Sequence, residues 1–190
     1  FFMLSGFVIG YAYDDRWNRM STGTFFKRRL IRLQPMVIMG SIVGAALFWF
    51  QDAPCYPAME GVSAGAVLLV MLLGCTLLPL PLKWDVRGWM EMHPLNGPAW
   101  SLYYEYIGNI LYALFIRKFS KTALTVLVAI AACFTVHRCL TAPAGDIVGG
   151  WALNWEQQYV GLVRLMYPFF GGLLLSRLGW LIRTRKNAFG

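Results

Sequence analysis

From Gly61 to Leu82 the chain runs for 22 residues without one charged side chain. A helix needs about 20 such residues to cross a hydrocarbon layer roughly 30 Å thick. Five other apolar stretches accompany it: Phe1 to Tyr13, Leu33 to Phe50, Ala99 to Ile116, Thr122 to Leu140 and Tyr159 to Ile182. With 58% hydrophobic and 14% charged residues and a mean hydropathy of +0.53, they predict an all-α fold, a polytopic transmembrane helix bundle of about six hydrophobic segments. An outer-membrane barrel would show segments of about ten alternating residues, which this chain lacks. Phe1 to Tyr13 is short for a full crossing and starts without an initiator Met, so the sequence reads as part of a longer protein. No signal peptide is legible at that end. No internal repeat or low-complexity linker interrupts the chain, so one compact domain over residues 1–190 is the simplest expectation.

The basic residues set the topology. Arg16, Arg19, Lys27, Arg28, Arg29 and Arg32 lie between two apolar stretches, which places Asp14 to Gln34 in the cytoplasm. Thr24 to Pro35 reads as a separate amphipathic helix on the inner membrane surface, with Thr24 as a candidate N-cap and Pro35 as its break. Gln51 to Glu60, with Pro54, Pro57 and no Lys or Arg, reads as an outward turn. Were Gly61 to Leu82 to cross fully, Arg117-Lys118-Phe119-Ser120-Lys121 would fall outside, against the rule. A re-entrant segment broken at Leu78-Pro79-Leu80-Pro81 would repair this, and both readings stay open. Arg183-Thr184-Arg185-Lys186 again belongs in the cytoplasm. The net charge of +8 thus reflects topology, with no basic soluble face for nucleic acid. Cys55, Cys75, Cys133 and Cys139 form no Cys-x-x-Cys pair and predict neither metal site nor disulfide framework. Gly6-x-x-x-Gly10, Gly40-x-x-x-Gly44 and Gly61-x-x-x-Gly65 predict close helix approach.

Chemistry is expected where polar groups enter apolar helices. Glu105 is the sharpest case, since a mid-membrane charge costs roughly 2.5 kcal/mol or more. At 3.6 residues per turn, Ser101, Glu105, Gly108, Asn109 and Tyr112 share one face, with Leu102, Tyr106, Ile110 and Ala113 elsewhere. The plainer account of that stripe is interhelical hydrogen bonding. Arg28, Arg29 and Arg32 together could present guanidinium groups to phosphates, or simply bind anionic lipid. Arg164 could snorkel to the interface or face Glu105 or an anionic substrate group. His93 and His137 lack neighbours at a catalytic or metal spacing, Trp100 reads as an interfacial anchor, and Ser5 is expected to bond back to its own helix.

Four motifs occur in order: Phe1-Phe2-Met3-Leu4-Ser5-Gly6-Phe7, Phe26-Lys27-Arg28-Arg29-Leu30-Ile31-Arg32-Leu33-Gln34-Pro35, Asn96-Gly97-Pro98-Ala99-Trp100-Ser101-Leu102-Tyr103-Tyr104-Glu105, and Arg164-Leu165-Met166-Tyr167-Pro168-Phe169-Phe170-Gly171-Gly172. Together they resemble the membrane-bound acyltransferase 3 family. The resemblance implies the central helices of a bacterial inner-membrane enzyme of about ten helices. Such an enzyme moves an acyl group, commonly acetyl, from a cytoplasmic acyl-CoA co-substrate to a hydroxyl of a glycan or lipid-linked sugar, with no bound cofactor. It further implies Trp100, Ser101 and Glu105 at the reaction site, Arg28, Arg29 and Arg32 at the donor phosphates, and Asn109 and Arg164 as additional substrate contacts. The family's arginine and catalytic histidine lie on a helix upstream of the first motif, so this stretch alone is expected to be inactive. The alternative from another class is a transporter or glycan flippase with a Glu105 and Arg164 path.

Overall fold

A computed structural model of the chain describes residues 1–51 and 61–179. They form α1 (Phe2–Tyr13), α2 (Thr22–Phe50), α3 (Ala64–Gly74), α4 (Ala99–Leu114), α5 (Lys121–Thr141) and α6 (Trp155–Leu178), joined by short 3-10 turns and loops, with no strand among the described residues. Helices α2, α5 and α6 are long and apolar enough to cross a membrane, and the all-helical membrane class holds. Cys55, most of the Gln51 to Glu60 turn and the Arg183 to Lys186 cluster fall outside the described residues.

Two expectations change. The basic segment and the span after it are one helix, α2, with Pro35 inside it. The ring removes one backbone donor, but Phe25, Leu33, Val37, Ser41 and Ala45 are buried on both sides of it at steps of four and eight, so packing carries the helix through. Its N-cap is Ser21 rather than Thr24: the Ser21 hydroxyl accepts from the Thr24 amide at 3.2 Å. Lys27 to Arg32 therefore belong to the crossing helix itself, not to a separate surface helix.

The 22-residue apolar run does not cross as one helix. Helix α3 is capped by Ser63, whose hydroxyl accepts from the Ala66 amide at 3.2 Å, and its 11 residues rise only about 16 Å. The chain then turns through Leu77 at φ 62° and passes into the loop that leads to α4. The topology conflict disappears with it. Arg177, on α6, binds Asp14 at 2.7 Å and also donates to the Phe119 and Arg117 carbonyls at 2.8 and 3.3 Å. Arg117 and Lys118 thus lie at the same end of the first unit as Asp14, as a common side for the basic residues requires.

The chain divides into two compact units. The first comprises Phe1–Phe25, Glu105–Val148 and the chain from Leu162, and the second comprises Phe26–Tyr104 and Gly149–Gly161. In the first, helices meet backbone to backbone. A Cβ on Gly6 would lie 1.8 Å from the Phe169 carbonyl oxygen, one on Gly172 would lie 1.9 Å from that of Met3, and one on Gly108 would meet the Phe169 ring at 3.0 Å. Glycine there brings α1, α4 and α6 together around Phe169.

In the second unit the close partner is a loop. A Cβ on Gly44 would lie 1.6 Å from the Leu95 carbonyl oxygen, and one on Gly40 would meet the Asn96 amide at 2.6 Å. Ala45, Val67, Val70, Leu80 and Leu95 form the core. The loop is tied by Leu80 N to Met92 O at 2.9 Å and Met92 N to Trp151 O at 2.8 Å. Among the described residues, Gly61 and Gly65 have nothing within 4 Å of an added Cβ, so their spacing marks no close approach there.

Candidate active site

The α4 stripe faces inward. Glu105 is 3% exposed and Asn109 0%, with Gly108 and Tyr112 also buried. Ala113, expected on another side, is buried with them. The Glu105 carboxylate accepts a hydrogen bond from the Ser5 hydroxyl of α1 at 2.5 Å. Ser5 thus departs from the expected back-bond and reaches from α1 to α4 within the first unit. One turn further along α4, neither polar atom of the Asn109 amide has a partner among the described residues. A buried amide without partners costs on the order of 1–3 kcal/mol, which marks Asn109 as a candidate beside Glu105.

Ser101 does what was expected of Ser5. It is half-buried, and its hydroxyl donates to the Pro98 carbonyl in the first turn of α4 at 2.9 Å. Trp100, also half-buried, lies edge-on to Tyr104, with ring centroids 6.1 Å apart. Tyr104 in turn occupies the space that a Cβ on Gly161 would need. Both residues lie in the second unit, whereas Glu105 and Asn109 lie in the first.

The three arginines separate. Arg28 and Arg32 are exposed, while Arg29 is 1% exposed, on the buried face with Phe25 and Leu33. They do not form one guanidinium surface. Arg164 is half-buried and is the tenth residue of α6, about 14 Å along it. His137 is exposed on α5.

A second polar cluster closes the inner end of the first unit. Arg177 grips Asp14 with both ends of its guanidinium, at 2.7 and 3.2 Å. The Tyr112 hydroxyl donates to Asp14 at 2.8 Å and accepts from the Trp17 indole at 3.0 Å. The Arg117 guanidinium covers Trp17 at 4.1 Å. Tyr112 thus leaves the Glu105 group and joins this clamp. Asp14 and Arg177 are 163 residues apart, a pairing no spacing rule could have revealed.

The second unit holds a cleft of about 420 Å³ between α2 and the loop before α4, lined by Gly40, Gly44, Gln51, Arg87, Asn96 and Gly97 among others. Asp85 orders this loop by accepting from the Arg87 and Glu91 amides at 3.0 and 3.3 Å. Arg87 pairs with Glu91 at 3.5 Å and donates to the Pro94 carbonyl at 3.2 Å. Burial pushes the Glu91 carboxyl above its ordinary range, Arg87 pulls it back and Asp85 adds to the rise. His93, 3% exposed, donates from Nε2 to the Leu77 carbonyl at 3.2 Å. Burial holds its imidazole below the usual histidine range, partly offset by that bond. His93 therefore acts as a neutral staple between two parts of the loop.

The family model described as an acyltransferase domain matches residues 1–189. Protein 2 in picA locus of Rhizobium radiobacter is 30% identical over 120 residues, 60% of this chain and 61% of that protein, so the match spans less than two thirds of its length. No solved structure matches the chain. With three helices long and apolar enough to cross a membrane and a match over residues 1–189, the chain belongs to the acyltransferase 3 family.

Proposed function

We propose that the protein acts in a bacterial inner membrane and transfers an acyl group, acetyl in the simplest case, from cytoplasmic acyl-CoA to a hydroxyl of a glycan or lipid-linked sugar. The observation that carries this reading is the Ser5–Glu105 hydrogen bond beside the unpartnered Asn109 amide. In the reaction the sugar oxygen attacks the thioester carbonyl, a C–O bond forms, the C–S bond breaks, and the hydroxyl proton ends on the CoA thiolate. Glu105, held by Ser5, is the acceptor and carrier of that proton. The Asn109 N–H groups stabilise the charge that develops on the carbonyl oxygen. Arg28 and Arg32, exposed on the inner end of α2, bind the donor phosphates, and Arg29 and Arg164 support the charge of the bound substrates from buried and half-buried positions. Trp100 and Ser101 shape the start of α4.

The test is Glu105→Gln in the intact gene product, with labelled acetyl transfer followed in membranes matched for folded protein. A loss of about a hundredfold or more is expected; unchanged transfer would remove Glu105 from the mechanism. Sugar movement that proceeds without consuming acyl donor would favour a transporter instead. Arg28→Lys with Arg32→Lys keeps the charge but loses the fork that grips phosphate, and should raise the donor KM several-fold. An unmoved donor KM would leave these arginines to lipid and topology.

A further inference from the structure

The basic end of the first unit uses none of the residues placed at the reaction site. Its two 3-10 turns, Asp14–Arg19 and Ile116–Lys118, are fastened to each other. Arg177 binds Asp14 at 2.7 Å and the Arg117 carbonyl at 3.3 Å, and the Arg117 guanidinium lies over the Trp17 ring at 4.1 Å. That contact gathers cations that are far apart in sequence. Arg16, Arg19, Lys118 and Lys121 are all exposed, and the Arg117 Nε is buried without a hydrogen-bond partner among the described residues. Asp14 is taken by Arg177, which leaves Asp15 as the other acidic side chain of the two turns. No ion pair joins Asp15 to any of these cations among the described residues.

These charges sit at a membrane boundary. Lys121 is the first residue of α5, a helix long and apolar enough to cross, so Lys118 and Lys121 fall at headgroup depth. The first turn of α5 holds no acidic residue, although the N-terminal end of a helix favours negative charge and disfavours a lysine. Ser120 caps it by accepting from the Ala123 amide at 3.1 Å, and brings no charge. Side chains and main chain therefore make the patch positive together. Apolar groups fringe it, since Leu114, Phe115 and Phe119 are exposed. A soluble phosphate would answer the cations and leave that fringe in water, while an uncharged lipid would cover the fringe and leave the cations unmatched. An anionic phospholipid answers both, with its phosphate among the cations and its acyl chains against the apolar side chains.

We propose that the two turns form a docking surface for an anionic phospholipid, its headgroup held by Arg16, Arg19, Lys118 and Lys121 and its chains lying along Leu114, Phe115 and Phe119. Each Lys or Arg near a membrane surface strengthens such binding about fivefold. Lipid binding is measured without acyl donor or acceptor, so its outcome is independent of the Glu105→Gln experiment.

The intact gene product, stripped of lipid in an uncharged detergent, is titrated with phosphatidylglycerol and with phosphatidylcholine of the same chain length, and native mass spectrometry counts the bound lipid. Phosphatidylglycerol should bind at least tenfold more tightly than phosphatidylcholine. Replacing Arg16, Arg19, Lys118 and Lys121 together by Gln should bring the two lipids to within about threefold of each other and leave phosphatidylcholine binding unchanged. Lys83→Gln, in the second unit, should leave the preference as it was. Where the fourfold variant does not fold, Lys118→Gln with Lys121→Gln carries the test and should weaken phosphatidylglycerol binding tenfold or more. Saturating inorganic phosphate or CoA should leave the tightly bound phosphatidylglycerol in place. Equal affinity for the two lipids, a preference that survives the fourfold replacement or its twofold substitute, or displacement by phosphate or CoA would each overturn the proposal.

Discussion

The two units use glycine for opposite ends. In the first, Gly6 and Gly172 remove side chains so that α1 and α6 touch, and α1 also bonds through Ser5 to the buried Glu105 of α4. In the second, Gly40 and Gly44 remove side chains from a membrane helix so that an irregular loop can lie on it, leaving a cleft beside the contact. A small-residue repeat tells that something comes close, not what. The polar groups follow the same division. The first unit pairs polar groups between its elements, Ser5 with Glu105 and Arg177 with Asp14; the second gathers Asp85, Arg87, Glu91 and His93 on one loop.

The comparison breaks most visibly at the glycines. Gly6→Ala or Gly172→Ala forces a methyl against main chain that cannot yield, and Gly44→Ala does the same against Leu95. All three should abolish recovery of folded protein by size-exclusion chromatography. Gly65→Ala, with open space around it, should be neutral or stabilising by up to about 1 kcal/mol.

The two ion pairs come next. Asp14→Asn leaves the nearly buried Arg177 without its counter-charge and should cost about 3 kcal/mol in denaturation of the micelle-bound protein. Arg87→Gln, in the more exposed pair, should cost no more than about 1 kcal/mol. The serines sharpen the contrast further. Ser5→Ala should cost about 2 kcal/mol, as expected for a bond to a charged group, and should lower acyl transfer. Ser101→Ala should cost under about 1 kcal/mol and leave transfer unchanged.

The smallest effect is the pH response of His93. Its folded imidazole titrates below its ordinary value of 6.5. The unfolded chain therefore binds the proton first, and stability falls as pH drops through 6.5 toward the folded value. Thermal unfolding midpoints should show this decline in the wild type and a flatter profile in His93→Gln.

Hydropathy made the membrane class legible, and the helical period of four made the inward face of α4 legible, because both are local properties of the chain. The motif order made the family legible. What stayed hidden depends on distant residues. Pro35 reads as a break until packing on both sides of it holds α2 together. Ser5 and Ser101 look alike in sequence, and only the approach of α1 decides which of them reaches Glu105. The run from Gly61 to Leu82 has the length of a span, and of its two open readings the break at Leu78-Pro79-Leu80-Pro81 lies next to the turn at Leu77 that follows α3.

The contact of Gly44 with the Leu95 carbonyl has a consequence for how such a protein can change. The cleft beside it is lined in part by Gly40, Gly44 and Gly97, which have no side chain to exchange. Its rim is made of Arg87, Gln51, Asn96 and Val43, none of which supplies the apolar core of Ala45, Val67, Val70, Leu80 and Leu95. Side chains at that rim can vary while Ala45, Val67, Val70 and Leu80, which do not line the cleft, go on holding the fold.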